Sequence, residues 1–327
     1  LLGQFSKYYS WLKFENCPNN RVNKVIKLLN YLKTDDVYPL YLYLFDTLFE
    51  QNSTELLSIL NLISDFMLRY RVVAPSGGGG ALRSVVRQLL EGLNSGVVEC
   101  NYDTIYFELS NSRSPTGRYP NDEEFIQTLM DSVNTNYARA VLLRIEEYER
   151  KNISVPLEQV TVEHLLPQTL SEKWIEYLGG NDKASEIYDK YLQCIGNLAP
   201  VSKGYNARMS NRIWSEKIKD LQYVQFVITS QVAASSQWKE SEIQQRNEDV
   251  ARRACKAITP PLARTRKYQS KNSTGEFATG TYLASDIVTP MTGAVPEYIV
   301  YNDNNIAIST WKEYLSKICQ IACEIDA

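Results

Sequence analysis

The amino-acid sequence predicts a mainly α-helical protein, with a strand–strand–helix unit embedded in a helical body and a small α+β appendage at the C-terminus. Apolar residues recur at helical spacing through the first 150 residues, and alternation of the β type begins near residue 159. A basic, proline-containing segment follows residue 250. We therefore predict a helical domain, a second domain with the embedded unit, a basic linker and a small α+β domain, over residues 1–150, 151–250, 251–271 and 272–327.

Composition limits the classes of protein that the chain can belong to. Its 327 residues, 44% of them hydrophobic, suffice for two or three domains with their own cores. A net charge of -3 provides no global positive field, so any contact with nucleic acid must come from local patches. The six cysteines form no CxxC pair and there is only one histidine, which argues against a zinc site. Without a signal peptide or a membrane-spanning apolar run, we expect a cytoplasmic protein with reduced thiols and no membrane partner.

The helical body shows regular amphipathic spacing and clear helix starts. One apolar face recurs at spacings of four, three and four through Leu56, Leu60, Ile63 and Met67. Asn52 with Glu55, and Asn121 with Glu124, each predict a capping box at the start of a helix. The run 137–150 predicts a further amphipathic helix.

A glycine run interrupts the helical body. The segment 72–81 contains Pro75 and four consecutive glycines, which predicts a loop or a mobile linker. No Lys-Ser or Lys-Thr pair follows the glycines, so the segment does not fit a phosphate-binding loop.

After Pro156 the pattern changes to a strand, a helical insertion, a short apolar strand and a helix. These four elements are predicted at residues 159–162, 171–193, 195–201 and 203–221. The first strand runs directly into the sequence Glu163-His164-Leu165-Leu166-Pro167-Gln168. In the last 50 or so residues, two short strands are predicted around a turn at 302–305, followed by a helix from Trp311.

The residues that can carry chemistry lie at the end of the first strand. His164 is the only histidine, and a neutral imidazole with a pKa of about 6.5 can accept a proton near neutral pH. A hard cation such as Mg²⁺ prefers oxygen ligands and often takes only one or two from the protein, for which Glu163 and an asparagine of the following helix are suited. In a regular strand Glu163 and His164 point to opposite faces, so both serve one site only if the strand stops or twists there. Pro167 is consistent with such an ending.

The sequence Glu163 to Gln168, followed by Ile195-Gly196-Asn197-Leu198 and then by Asn206 with Ser210-Asn211, resembles the HNH nuclease motif. More closely, the chain resembles the C-terminal nuclease half of GmrSD-type and SspE-like modification-dependent restriction enzymes. The resemblance covers roughly residues 1 to 255. Its further supports are the sequence 119–125, the segment Leu142 to Glu146, Trp174, Trp238, Ile243 and Arg246.

The resemblance implies a ββα-metal fold with defined residue roles. His164 would activate water, Glu163 and Asn206 would bind one Mg²⁺ or Mn²⁺ ion and no zinc, and Asn197 would steady the histidine loop. Asn211 is a competing candidate for the helix ligand, and the sequence does not choose between it and Asn206. HNH enzymes at large usually have Asp where this chain has Glu163.

The activity implied is that of a divalent-metal-dependent DNA endonuclease or nickase, the effector part of an antiphage restriction system. Its expected partners are double-stranded DNA, from phage or carrying modifications, and an N-terminal nucleotide-hydrolysing sensor domain. That domain is absent from this chain, which begins with Leu1 rather than Met, so we expect the chain to be a fragment of a longer protein.

Four basic residues of the last predicted helix, Lys203, Arg208, Arg212 and Lys217, are predicted to contact DNA phosphates, although a solvated charged face has the same pattern. The basic segment 251–271 has seven basic residues and no acid, and suits either a DNA-binding arm or a disordered linker. Two alternatives to DNA cleavage remain open. One is a catalytically silent DNA-binding or protein-docking module that retains the nuclease fold, and the other is RNA as the substrate.

Overall fold

The computed structural model describes residues 2–74, 79–112, 117–150, 159–262, 298–301 and 304–310, with 313, 314, 317 and 321. The described elements are mainly helical, as the sequence predicts. In chain order they are α1 Leu2–Phe14, α2 Asn20–Tyr31, α3 Tyr38–Leu48, α4 Ser53–Val73, α5 Gly79–Asn94, α6 Tyr102–Ser110, α7 Asp122–Asp131, α8 Thr135–Arg150, β1 Val160–His164, α9 Glu172–Leu178, α10 Asn181–Tyr191, β2 Leu198–Ser202, α11 Lys203–Met209, α12 Trp214–Leu221, α13 Val227–Ser230, α14 Glu240–Ala257, β3 Tyr298–Tyr301 and β4 Asn304–Ala307. Short 3-10 turns lie at Asp35–Val37, Ile195–Asn197 and Gln231–Ala234.

Contacts group the chain into two compact units, Leu1–Arg264 and Thr265–Ala327. The predicted division near residue 150 does not separate two compact units, because one apolar core extends from Tyr8 to Ile258. In the second unit, β3 and β4 form an antiparallel pair. Of the turn predicted at 302–305, Asn304 and Asn305 belong to β4 instead, and residues 302 and 303 lie outside the described residues. Most residues of the helix predicted from Trp311 lie outside the described residues.

Of the two predicted capping boxes, the one at the start of α7 is present and the one at the start of α4 is present only in part. At α7, the Asn121 side chain accepts from the backbone N–H of Glu124, and the Glu124 side chain accepts from that of Asn121, which confirms the capping box. At α4, Asn52 accepts from the N–H of Glu55. The Glu55 carboxylate instead accepts from the N–H of Tyr102 at 2.6 Å, so it joins α4 to α6 and the reciprocal half of that box is absent.

Three predicted boundaries are wrong. The loop predicted over 72–81 is shorter in the structure, because α4 continues to Val73 and α5 begins at Gly79. Residues 75–78 lie outside the described residues. The predicted helix 171–193 breaks into α9 and α10 at Gly179 and Gly180, whose φ angles of 107° and 100° favour glycine. The predicted helix 203–221 breaks at Ser210, where φ is 38°.

The predicted order of strand, helical insertion, strand and helix is present. β1 pairs with β2 in antiparallel register, with Glu163 opposite Ala199 and His164 opposite Leu198, and α11 follows β2 without a loop. α8 packs against both strands. Three tryptophans of the same region are fully buried, Trp174, Trp214 and Trp238, and the last two are stacked with ring centroids 5.0 Å apart.

The first seven residues of the basic segment 251–271, for which the sequence predicts a linker, belong to helix α14. Residues 251–257 are the last turns of α14, with Ala251 and Ala254 buried in the core. Arg253 on this helix forms an ion pair with Glu149 of α8 at 2.6 Å. The basic residues from Arg264 onward lie outside the described residues.

Residues 258–262, which we call the strap, continue from α14 across the helical body. Arg69 donates to the carbonyl of Ile258 at 2.7 Å, and Asp65 accepts from the N–H and hydroxyl of Thr259. Two tyrosine hydroxyls, of Tyr119 and Tyr106, donate to the carbonyls of Thr259 and Pro260, and Leu262 donates to Ser110. Side chains of the body thus satisfy the strap's backbone where no regular secondary structure does.

None of the described helices combines the length and the apolar character that crossing a bilayer requires.

The turn before β2 is held against α14 at Gly196. Its N–H donates to the side-chain oxygen of Asn247 at 2.8 Å, and its carbonyl accepts from Arg246. A Cβ at Gly196 would lie 2.5 Å from Cα of Asn247, a distance that real Cβ atoms essentially never show. Because the obstacle is backbone, a side chain here has no room unless the helix moves.

We predict that Gly196→Ala lowers the free energy of unfolding by about 1–3 kcal/mol, the usual cost of overpacking a core. Urea unfolding followed by circular dichroism measures it. Gly204→Ala is the matched control, because a Cβ at Gly204 meets nothing within 4 Å, and this variant should be as stable as the parent or slightly more so. Equal stability of both variants would contradict the proposed close approach.

Candidate functional site

An open cleft of about 380 Å³ lies between the end of β1 and helix α11. Its lining brings together His164, Glu163, Asn206, Asn211 and Lys203, five of the residues singled out from the sequence. The loop after β1 adds Pro167 and Gln168, and β1 adds Thr161. Residues 160–168 and 203–211 thus face one another because the β1–β2 pairing brings α11 alongside β1.

His164 ends β1 and is 9% exposed. The one hydrogen bond of its imidazole found among the described residues joins Nε2 to Oε1 of Gln193 at 3.5 Å. Burial lowers the pKa of His164 below its ordinary value; Gln193 offsets this in part and Lys217 adds to it. The imidazole is therefore neutral at pH 7, the form that can accept a proton.

Glu163 is buried and paired with a buried lysine from α12. Nζ of Lys217 donates to Oε1 of Glu163 at 2.6 Å and also to the backbone carbonyl of His164 at 2.6 Å. Burial raises the pKa of Glu163, partly offset by the Lys217 ammonium, and burial lowers the pKa of Lys217. The ammonium thus satisfies both a carboxylate and the carbonyl of the histidine itself.

Asn197 holds the segment that follows His164. Its Oδ1 accepts from the N–H of Leu166 at 2.6 Å, and its Nδ2 donates to the carbonyls of Leu166 and Leu192. The backbone carbonyl of Asn197 also accepts from the N–H of Leu165 at 2.9 Å. Since Asn197 is fully buried, these bonds fix the two residues after His164 without competition from water.

The two candidate helix ligands differ in their surroundings. Asn206 lies within α11, is half-buried, and donates from Nδ2 to the hydroxyl of Thr161 at 3.3 Å. That bond leaves the amide oxygen as the group available to a cation. Asn211 is exposed and lies beyond the helix, after Ser210. Asn206 is therefore the more constrained side chain of the two.

The four predicted phosphate-binding residues do not share one surface. Lys203 and Arg208 are exposed on α11, and Arg212 is exposed with an ion pair to Asp220 at 3.5 Å. The prediction for Lys217 is wrong, because its side chain is fully buried against Glu163 and cannot reach a phosphate.

Three residues shape the site in roles that the sequence does not predict. Gln193 contacts the imidazole, although no motif signals it. Lys217 was assigned to the surface, although Trp214, Lys217 and Leu221 recur at the spacing of one buried face. Asn247 fixes the turn at Gly196 from α14, and only the tertiary structure places it there.

The cleft offers the donor set that a hard divalent cation prefers. Glu163 and Asn206, whose side chains carry carboxylate and amide oxygens, line the same space as His164. Among the described residues, no group of three or more His, Cys, Asp or Glu side chains is placed to hold a metal. The set is therefore suited to a cation that keeps several water ligands, as Mg²⁺ does, rather than to one enclosed by protein.

Residues 119–253 match the model of the family described as GmrSD restriction endonucleases, C-terminal domain. The match confirms the GmrSD-type resemblance over this segment, which contains the whole cleft. Residues 1–118, over which the resemblance was also expected, lie outside the match. None of the curated proteins matches the chain.

We predict that Lys217→Met lowers the free energy of unfolding by about 3–5 kcal/mol, because it leaves the buried Glu163 carboxylate without its partner. In the double variant Glu163→Gln, Lys217→Met, much of this loss should be recovered. Urea unfolding of the parent, both single variants and the double variant gives the coupling free energy.

Lys219→Met is the control for this cycle, because Lys219 lies on the same helix but is exposed, and its stability should equal that of the parent. A double variant no more stable than Lys217→Met would contradict the coupling.

Proposed function

We propose that this chain is the DNA-cleaving effector part of a modification-dependent restriction protein, a divalent-metal-dependent endonuclease or nickase of the HNH type. One observation carries the proposal: His164, which is neutral at pH 7, lines one cleft with the Glu163 and Asn206 side chains at the end of a strand–strand–helix unit. The family match supports it, since the matched family is described as restriction endonucleases.

In the proposed reaction His164 is the general base. Its neutral imidazole accepts a proton from a water in the cleft, and that water attacks the scissile phosphorus. Asn197 acts on the same group indirectly, because its bonds to Leu166 hold the chain directly after His164. Lys217 of α12 stabilises the end of β1, because it donates to the Glu163 carboxylate and to the backbone carbonyl of His164.

Glu163 and Asn206 are the proposed ligands of one Mg²⁺ or Mn²⁺ ion, which would neutralise charge on the phosphate and on the leaving oxygen. Oε1 of Glu163 already accepts from Lys217, so Oε2 is the oxygen that this carboxylate has left to offer. The Thr161 hydroxyl fixes the orientation of the Asn206 amide, which lowers the entropy lost when its oxygen binds.

The proposed substrate is double-stranded DNA, from phage or bearing modified bases. Lys203 lines the cleft and is suited to bind a phosphate beside the scissile bond. Arg208 lies five residues further along α11, outside the lining of the cleft, and is exposed, so we propose that it binds a phosphate further from the scissile bond. Arg212 can do so on leaving its ion pair with Asp220. We further propose a cytoplasmic location and an N-terminal nucleotide-hydrolysing partner domain that senses the modification.

We predict that the purified chain nicks supercoiled plasmid in Mg²⁺ or Mn²⁺ and that His164→Ala reduces the rate at least about 100-fold, the scale of general-base catalysis. Conversion of supercoiled to relaxed DNA on agarose gels measures this. Lys173→Ala, an exposed substitution on α9 outside the cleft, should cut at the parental rate.

Circular dichroism spectra of the parent and His164→Ala should superimpose, which separates loss of the base from loss of the fold. Cleavage by His164→Ala at the parental rate would contradict its proposed role. The same assay on a matched RNA tests the alternative substrate, because a metal and histidine site acts on phosphates rather than on sugars.

We predict that Asn206→Ala raises the Mg²⁺ concentration needed for half-maximal nicking about tenfold or more, whereas Asn211→Ala changes it less than about twofold. The physical reason is that Asn206 is oriented by Thr161 and Asn211 is exposed. Nicking rates over a Mg²⁺ titration measure the difference. The reverse order of effects would assign the ligand to Asn211.

The buried pair of Glu163 and Lys217 favours a second candidate function. An ammonium 2.6 Å from the proposed metal-binding carboxylate competes with a cation for its charge. The chain would then be a catalytically silent DNA-binding or protein-docking module with a nuclease fold. Metal-dependent nicking by the wild-type chain rules this candidate out, and DNA binding without nicking over the whole Mg²⁺ and Mn²⁺ range supports it.

A further inference from the structure

We propose that Gln193 is the positioning residue of His164, selecting the imidazole tautomer that carries its proton on Nε2. The role of this tautomer in catalysis rests on the proposed nuclease function. Its structural core is the contact between Oε1 of Gln193 and Nε2 of His164 at 3.5 Å. The Gln193 amide is placed with its oxygen toward the ring; because that oxygen can only accept a hydrogen bond, this placement assigns the hydrogen to the ring nitrogen that faces it.

The tautomer decides which atom of His164 can act as a base. A neutral imidazole has one donor nitrogen and one acceptor nitrogen. With hydrogen on Nε2, the lone pair that can take a proton from water lies on Nδ1. No hydrogen bond to Nδ1 is found in the described part of the chain, so that atom is not already committed to the protein.

The backbone around Gln193 is fixed by bonds that serve the rest of the site. The Gln193 carbonyl accepts from the N–H of Val133 at 3.0 Å, which ties it to the segment after α7. On either side, the Leu192 carbonyl accepts from Asn197 and the Cys194 carbonyl accepts from the N–H of Asn197. The residue that holds the loop after His164 therefore also holds the chain that carries Gln193.

The separation of 3.5 Å is long for a hydrogen bond. Such distances are common in catalytic sites before substrate binds, and they shorten in the reacting complex. Gln193 lies beyond the end of α10 and is half-buried, so its side chain can close this distance without moving a helix.

The single histidine makes the inference directly measurable. In the full chain labelled with ¹⁵N-histidine and carrying no histidine tag, every imidazole resonance belongs to His164. Long-range proton–nitrogen correlation spectra at pH 8 report the hydrogen on Nε2 or on Nδ1 from the two nitrogen shifts. We expect the Nε2–H tautomer in the wild type; a dominant Nδ1–H tautomer would overturn the proposal, whatever the nicking activity.

Two substitutions separate positioning from packing. Gln193→Leu keeps the approximate size and removes the acceptor, so the tautomer preference should weaken and nicking should fall about 10- to 100-fold, the usual cost of losing the partner that orients a functional histidine. Gln193→Glu keeps an acceptor oxygen and should retain the Nε2–H tautomer. An unchanged tautomer in Gln193→Leu would overturn the proposal.

Gln222→Leu is the control, because Gln222 is exposed after α12 and its side chain donates to the carbonyl of Lys219, outside the cleft. It should change neither the spectrum nor the nicking rate. The two readouts also separate failure of this inference from failure of the proposed function. A wild-type chain that shows the Nε2–H tautomer but never nicks DNA contradicts the nuclease proposal, whereas one that nicks with the Nδ1–H tautomer contradicts only the role of Gln193.

Discussion

The paired hydrogen bonds between Asn197 and Leu166 join two segments that lie 31 residues apart in the sequence. One amide side chain satisfies both the N–H and the carbonyl of Leu166, as a strand partner would. The same side chain reaches Leu192, and Trp238 donates to its oxygen at 3.4 Å. The geometry of the cleft depends on this buried amide. Its bonds to Leu166 hold the chain after His164, and its bond to Leu192 holds the chain directly before Gln193.

A buried pair of opposite charges, Lys217 and Glu163, lies at the end of β1. Lys217 is fully buried, and its positive charge lies against the buried carboxylate of Glu163 and the backbone carbonyl of His164 at the end of β1. A lysine in this position costs desolvation free energy, which only partners with good geometry can offset. The chain provides two such partners, Glu163 and the His164 carbonyl, and so orders the strand end through charge rather than through apolar packing alone.

Much of the fold and of the site could be predicted from local signals. The capping box at Asn121 and the clustering of His164 with Asn206 follow from residue types at fixed spacing, and for these the sequence suffices. Lys217 was misassigned because its charge outweighed its position on the buried face of α12. Gln193 could not be found at all, since a glutamine after a helix carries no pattern and its role arises only from tertiary contact.

The strap has a consequence for the order in which the protein matures on the ribosome. Ile258 and Thr259 bond to residues 189 and 194 positions earlier, and Asn247 reaches back 51 positions to Gly196. Because synthesis proceeds from the N-terminus, the turn at Gly196 is made before Asn247, and α4 is made long before the strap. The turn before β2 therefore reaches its final geometry only after α14 has left the exit tunnel, and the helical body gains the hydrogen bonds of the strap later still.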